Sequence, residues 1–266
     1  MVDNGSRDGT GTFLAEYARR APFSLVAMSE PRPGKSRALN TGLARVTGDV
    51  IAFIDDDIYL TPDYFERLTE IFGREDLGYC GGRILLHDPT DLPMTLRTTT
   101  TTQFIPARSF ITAGEIQGCN MAFRRAVLEA IGGFDPMLGP GTRFICEDVD
   151  LAARASAAGW IGGYFPELLV YHHHGRKTTA EEAALLRDYG WGRGAYFAKF
   201  IFDRRTRIQF LKRCYWHWRI LPFRVLRLEV AGAARYTLAR LFASPEPVPP
   251  VPARPSDASR PSAKAG

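Results

Sequence analysis

Apolar residues recur at helical spacing from Thr10 to Arg20, with Phe13, Leu14 and Tyr17 on one side. The same spacing returns from Ser36 to Val46 through Leu39, Leu43 and Val46. Between these stretches, Phe23 to Met28 predicts a strand. Asp49-Val50-Ile51-Ala52-Phe53-Ile54 is a second β-rich run, and it stops abruptly at Asp55-Asp56-Asp57. Pro62, placed after Thr61, suits a helix start, and that helix is expected to reach about Phe72. Helix and strand patterns alternating in this way predict a largely parallel sheet covered by helices.

The middle of the chain is less periodic. Thr98 to Thr102 is a run of threonines read either as an edge strand or as a mobile loop, and Gly132 to Pro136 and Gly139 to Gly141 are dense in turn residues. Helical spacing resumes from Glu147 to Ala158 and ends at Gly159. Leu168 to Tyr171 predicts a further strand that runs into His172-His173-His174. Beyond Thr178 the pattern is helical to about Ala243, with a break at Pro222. Residues 244–266 are rich in Pro, Ser and Ala and are expected to be disordered. The expected organisation is a catalytic domain over 1–177, a helical basic arm over 178–243 and the tail.

Composition narrows the class. The chain has 266 residues, 45% hydrophobic and 24% charged, a globular profile. It has no apolar run long enough for a transmembrane helix, and its first residues lack the pattern of a signal peptide. Four cysteines are scattered without a C-x-x-C pair, which fits reduced thiols in a cytoplasmic setting. Residues 1–175 carry 16 Lys and Arg against 22 Asp and Glu, whereas residues 176–243 carry 15 against 5. A mildly acidic body with a strongly basic arm directs the arm toward something anionic.

Three constellations could carry chemistry. Asp55, Asp56 and Asp57 stand at the end of an apolar strand, where α/β sheets place their ligands. Hard carboxylate oxygens there suit Mg²⁺ or Mn²⁺, particularly where the metal also holds phosphates; a solvated acidic turn is the alternative. Glu147-Asp148-Val149-Asp150 opens a helix after a Gly-rich loop. Acidic residues favour any first turn, but the loop before them makes a catalytic base reasonable. On an extended backbone His172 and His174 share a face while His173 points away, so one of the pair could complete a carboxylate metal site.

Two shorter motifs compete. Gly34-Lys35-Ser36 matches the end of a phosphate-binding loop, but the required first glycine falls on Ser29 and no strand leads into it. Asp55-x-Asp57 after an apolar strand also fits an aspartyl-nucleophile phosphatase. Tyr59 stands where that motif wants Thr or Val, so the phosphatase is the runner-up.

The ordered set resembles family 2 glycosyltransferases. The resemblance rests on Val2 to Thr10, Gly34 to Gly42, and Gly48-Asp49-Val50 leading into the aspartates. It continues through Asn120 to Arg125, Gly132 to Asp135, Glu147 to Leu151, and the histidines. It covers residues 2 to about 200. It implies a GT-A fold, a Rossmann-like and mostly parallel sheet with flanking helices, that binds a nucleoside-diphosphate sugar and transfers the sugar with inversion. The same resemblance implies that Asp3 contacts the nucleobase and that Lys35, Asn40 and Asp56 line the nucleotide-sugar site. Asp55 and Asp57 would form the D-x-D, with Asp57 preferred as direct metal ligand, and His172 or His174 would add a ligand to Mg²⁺ or Mn²⁺. Asp148 would be the base, with Glu147 its alternative, and Arg143, Arg176 and Lys177 are candidates for diphosphate contacts. The family also has a first strand and a Pro-x-Tyr-Asn-like turn before the second motif. This chain starts within that motif, so a sheet lacking one strand and a weak catalyst are expected. The remaining alternative is an inactive sugar-nucleotide-binding remnant.

In the arm, Arg205, Lys212 and Arg219 align on one helical face, and Ile208, Leu211, Tyr215 and Trp218 on another. A basic amphipathic helix with aromatic residues suits an anionic membrane surface, and equally a helix packed on the domain with a solvated basic face. The expected partners are a nucleotide-sugar donor, a carbohydrate or lipid-linked acceptor in polysaccharide or glycolipid synthesis, and such a membrane, with no nucleic acid. The expected location is cytoplasmic, with a peripheral place on the inner face of the membrane as the arm's addition.

Overall fold

The structure is a computed structural model that describes residues 1–242 and 246–253. In the first quarter of the chain β1 (Val2–Asp3) pairs in parallel with β2 (Met28–Ser29), and α1 (Thr10–Ala18) and α2 (Lys35–Leu43) lie between and after them. The strand expected over Phe23 to Met28 therefore shrinks to β2, because only these two residues meet a partner. Asn4 stitches the turn after β1 to the loop before α2. Its amide donates to the carbonyls of Glu30 and Arg32, and its side-chain oxygen accepts the Gly34 N–H.

The main sheet contains β3 (Val50–Phe53), β4 (Ile58–Leu60), β5 (Tyr79–Leu86), β6 (Gln103–Ile105), β7 (Met121–Arg124) and β8 (Gly162–His172). Its order is β3-β7-β5-β8-β4, with β6 paired to the other stretch of β8. Only β5 and β8 run parallel; β7 lies antiparallel between β3 and β5, and β4 and β6 are antiparallel to β8. The sheet is thus mixed rather than mostly parallel. The largely parallel sheet expected from alternating helix and strand patterns gives way here because β3 and β4, for example, are joined by four residues, too few for a parallel return. The five threonines precede β6 and form no strand themselves.

Alternation along the strands feeds two cores. Tyr79, Met121 and Phe123 face one core with Phe53, Phe134, Leu151, Tyr196 and Phe210. Cys80 and Ala122 face the other, closed by α3 (Tyr64–Arg74) through Tyr64, Leu68, Ile71 and Phe72. Between β5 and β8 the register shifts at Gly82/Arg83. Asn120 fills the irregularity, donating to the carbonyls of Arg83 and Leu168 while its oxygen accepts the Tyr64 hydroxyl.

After β7 come α4 (Arg125–Ile131) and α5 (Glu147–Ala157), the latter packed on the first core. The arm starts with a capping box, in which Thr178 and Glu181 satisfy each other's backbone N–H at the head of α6 (Thr179–Phe202). A turn at 203–206 leads into α7 (Arg207–Ile220), and Leu221-Pro222 separates it from α8 (Phe223–Phe242), the break expected at Pro222. Helices α6 and α8 approach closely because Gly194 lies against the Glu229 backbone and Gly232 against that of Trp191. A Cβ at either would sit about 2 Å from a carbonyl oxygen (2.0 and 2.3 Å).

Part of the tail is ordered, contrary to the expectation for 244–266. Residues 246–253 lie on the domain: Pro249 accepts the Gly133 N–H, Val251 is buried, and Glu246 pairs with Arg32 and Arg37. Proline-rich chain is already extended, so its carbonyls dock without a helix or sheet to form. The remainder of the expected disordered tail lies outside the described residues. No helix among the described residues is long and apolar enough to cross a membrane, and the four cysteines are free and buried.

Candidate functional site

The site forms where β3 ends and where α2 and α5 begin. Lys35, the first residue of α2, donates its backbone N–H to the Pro140 carbonyl, and Ser36 donates its hydroxyl to that of Leu138. Gly141 approaches Gly34 so closely that a Cβ would fall 2.9 Å from the Gly34 Cα. The Gly-rich loop before α5 is thereby locked to the start of α2. Gly34-Lys35-Ser36 therefore works as a docking point between two loops, and not as a phosphate-binding loop.

This docking brings Lys35 to the carboxylates. Its Nζ lies 2.6 Å from Asp55 and 3.6 Å from Glu147. Burial would depress the ammonium pKa, but Asp55, Glu147 and Asp148 around it hold it above its ordinary value. Asp148 accepts the backbone N–H of Gly118 at 2.9 Å and that of Val149 at 2.7 Å. Burial nevertheless raises its pKa against these bonds. Glu147 is pushed up to about 7, first by burial and then by the charge of Asp148. It is 4% exposed, packed against Gly139 and Ser36, and its Oε2 has no hydrogen-bond partner. Asp148 is the more accessible of the two.

Across the site, the backbone N–H of His173 donates to the Asp57 carbonyl, and His172 Nε2 faces Asp57 Oδ2 at 3.2 Å. The other ring nitrogen of His172 lies 3.3 Å from the Thr95 hydroxyl, which itself donates to the Met94 carbonyl. With its proton committed, that hydroxyl accepts from Nδ1–H, so Nε2 directs either a second proton or a lone pair at the carboxylate. Asp57 Oδ1 is buried without a hydrogen-bond partner. Asp57, with this orphaned oxygen, and the His172 imidazole supply oxygen and nitrogen donors of the kind Mg²⁺ or Mn²⁺ takes, while Asp55 is engaged by Lys35.

Other expected residues fall elsewhere. His174 lies beside His172, their ring centroids 5.2 Å apart, but its Nε2 contacts the Leu92 carbonyl and its Nδ1 accepts the Arg176 N–H, so both nitrogens are engaged. The two rings thus lie together, as alternation predicts, although β8 itself ends at His172. Asn40 is held by backbone, donating to and accepting from Phe134 at 2.9 and 2.7 Å, so its amide clamps the Gly133-Phe134 turn to α2. Lys177 pairs with Asp88 at 3.0 Å. Asp56 is exposed, and Asp3 accepts the Ser6 N–H in the turn after β1. Arg143 lines a cleft of about 280 Å³ with Trp191 and Arg235. Asp150 is structural, since its fully buried carboxylate pairs with Lys199 and Arg154, and Lys199 also binds Asp135.

No pattern in the chain marks Thr95 or the Gly118 N–H, because both lie in irregular segments. Nor did it join Asp88, Asp91 and His173, whose ligand atoms lie within 4.8 Å of one another beside Lys177. Spacing within the chain carried no signal for these contacts.

A mixed sheet flanked by helices, with a carboxylate cluster at the end of β3, defines a protein of the GT-A class. Mannosyltransferase PcManGT from Pyrobaculum calidifontis, solved in complex with GDP-Man and Mn²⁺, has this fold. It superposes with a TM-score of 0.60 at 21% identity, covering 91% of this chain and 68% of that one. S. aureus TarS 1-349 superposes with a TM-score of 0.54 at 13% identity over 91% of this chain and 63% of its own. Residues 1–132 match the model of Glycosyl transferase family 2, the family that the ordered motifs resemble. The matched segment holds Lys35 and the aspartates, whereas Glu147, Asp148 and His172 lie beyond it.

Among curated relatives, the probable glycosyltransferase YdaM of Bacillus subtilis is 25% identical over 235 residues. That match covers 79% of this chain and 52% of YdaM, so the chain spans about half of that relative's length. The O-antigen chain rhamnosyltransferase WbaN of Salmonella anatum is 25% identical over 232 residues, covering 79% of this chain and 70% of WbaN.

Proposed function

We propose that this chain transfers a sugar from a nucleoside-diphosphate donor to an acceptor hydroxyl, with inversion at the anomeric carbon and dependence on Mg²⁺ or Mn²⁺. The observation that carries the reading is the position of Lys35 between two carboxylate groups: Asp55 on the strand-end side, Glu147 and Asp148 on the other. Asp55, Asp57 and His172 would hold the metal, which supplies positive charge to the departing diphosphate. Lys35 is placed to add to that charge once the phosphates draw it from Asp55.

Asp148 is the general base in this reading. It is the more exposed of the two carboxylates, burial raises its pKa, and Gly118 N–H fixes one oxygen so that the carboxylate is oriented. It takes the proton of the acceptor hydroxyl as that oxygen attacks the anomeric carbon, and the bond to the diphosphate breaks on the opposite face. Glu147 backs it from a buried position, as a neighbour whose charge keeps the pair basic. Asp3 would lie at the nucleobase end, on the turn that Asn4 ties to the start of α2.

A nucleotide-sugar donor is supported by the GDP-Man bound to the mannosyltransferase of similar fold, and a carbohydrate acceptor by the rhamnosyltransferase relative. A lipid-linked acceptor and a peripheral membrane position fit the basic arm. The test is calorimetric titration of nucleoside diphosphates with and without Mn²⁺, followed by a radiolabelled sugar-transfer assay with the anomeric configuration read by NMR. Mn²⁺-dependent binding and inverted product are expected. Release of phosphate from simple esters would instead support a phosphatase, and absence of nucleotide binding would support a remnant.

A further inference from the structure

We infer that the α7–α8 hairpin is a docking surface for an anionic lipid bilayer, with its apolar side chains entering the interface and its arginines pairing with lipid phosphates. Of the 21 large hydrophobic residues exposed among the described residues, 11 lie between Phe202 and Phe242. Several gather at the hairpin: Tyr215, Trp216 and Ile220 at the end of α7 and Phe223 at the start of α8, with Ile220 81% and Phe223 71% exposed. Such a concentration is not the scatter of single apolar residues that ordinary surfaces carry.

Charge selects the occupant. Residues 204–242 contain ten Lys and Arg and a single acidic residue, Glu229. That carboxylate is fully buried, where it accepts from Arg193 at 2.7 Å and from the Trp218 indole at 2.9 Å and contacts His217 at 3.1 Å. The outer surface of this segment therefore presents cations without a compensating anion. Arg219 lies over the rings of both Tyr215 and Trp216, and Arg227 over that of Phe223. Cations interleaved with interfacial aromatic residues match the phosphate and upper acyl layers of a bilayer. A protein partner would need acidic groups at matching points, whereas an anionic bilayer supplies them everywhere.

The structure also fixes which residues can take part. The opposite face of α7 is held in the core by Phe210 and Cys214, and Trp218 is turned inward to Glu229. Trp218 therefore leaves the apolar stripe expected from sequence. Ile208, Leu211, Tyr215 and Trp216 share the outer face with Lys212 and Arg219, so the charged and apolar stripes merge into one surface. The hairpin is tied to the body by Phe210 and Cys214 in the first core, and α8 is held against α6 through Gly190, Gly194 and Gly232.

The test is flotation of the full chain with vesicles of phosphatidylcholine alone and of phosphatidylcholine with phosphatidylglycerol. It needs no sugar nucleotide, so it stands or falls separately from the proposed transferase activity. Binding to the anionic vesicles only, weakened by added salt, is expected. Replacing Arg219, Arg224 and Arg227 together by Gln should weaken it on the order of a hundredfold, from about fivefold per cation. Trp216→Ser with Phe223→Ser should lower it as well, with melting temperature unchanged because both side chains are exposed. Equal binding to neutral vesicles, or binding indifferent to both sets of substitutions, would overturn the proposal. So would light scattering that shows a concentration-dependent dimer lost in Trp216→Ser/Phe223→Ser without any vesicle binding, which would assign the patch to contacts between copies.

Discussion

Lys35 holds its ammonium 2.6 Å from Asp55, so in the unliganded protein a side-chain cation already neutralises the first carboxylate of the D-x-D. The same group stands 3.6 Å from Glu147, which joins the strand-end aspartates to the Glu147-Asp148 pair. Lys35→Met should therefore weaken binding of a nucleoside diphosphate by about tenfold or more, the loss expected for a charged hydrogen bond. Titration calorimetry reads this directly; unchanged affinity in the folded variant would remove Lys35 from the nucleotide site.

Asp57 is expected to be the residue on which metal dependence turns, because its orphaned Oδ1 and the facing His172 lie together at the strand end. Asp57→Ala should abolish the Mn²⁺-dependent part of nucleotide binding while leaving the core intact. Mn²⁺ titration followed by paramagnetic resonance separates this from general loss of affinity. His174→Ala should leave metal binding unaltered, since its ring is engaged with Leu92 and Arg176 backbone.

Asp148→Asn should keep nucleotide binding and lower transfer by about 10²-fold or more, as removal of a general base does. The pH profile adds an independent reading. Glu147 is pushed up to about 7, by burial and then by Asp148, and a proton taken up by the pair disables the base, so transfer should fall as pH drops below neutrality. Glu147→Gln removes one of two mutually repelling charges and should move that acidic limb to lower pH. An unmoved limb would place the titrating base elsewhere.

Glu30 governs acid stability at the start of the chain. Hydrogen bonds from Arg32, together with Thr41, hold its pKa at about 2 against an ordinary 4.5. A depressed carboxyl pKa stabilises the fold above 4.5, and that contribution is lost as pH falls from 4.5 through 2. Because Arg32 is largely exposed, the effect is modest. Melting temperatures of the wild type and Glu30→Gln should differ near neutral pH and converge at the acid end.

Gly192 is where α6 meets the loop that carries Glu147. A Cβ there would lie 2.0 Å from the Ile145 carbonyl oxygen, which is backbone and cannot turn aside. Gly192→Ala should cost about 1–3 kcal/mol or more, the range for overpacking, and shift the loop. Thermal melting and the transfer assay should both register it, whereas Gly73→Ala, with open space at its Cβ, should leave both near wild type.

Much of this protein was legible in its sequence, because local patterns have local causes. The apolar run of β3 stopping at three aspartates, the capping residues ahead of α6, the break at Pro222 and the charge of the arm all follow from short stretches of side chains. They pointed to the class of fold and to Asp55, Asp57 and the Glu147-Asp148 pair as the chemistry-bearing groups. Other features depended on partners distant in the chain. Whether β7 runs with or against β3 is decided by which edge it reaches, and no periodicity of two encodes that. His172 and His174 do keep their rings together, but the Leu92 carbonyl, 82 residues away, engages the His174 Nε2. Asn40 reads as a ligand until Phe134, 94 residues away, uses both ends of its amide. Trp218 was assigned by helical angle to an outer stripe, but buried Glu229 draws its N–H inward. A side chain's type and spacing determine what it can bind, while the three-dimensional packing determines which groups are left to bind it, since buried polar atoms must find partners wherever the fold supplies them.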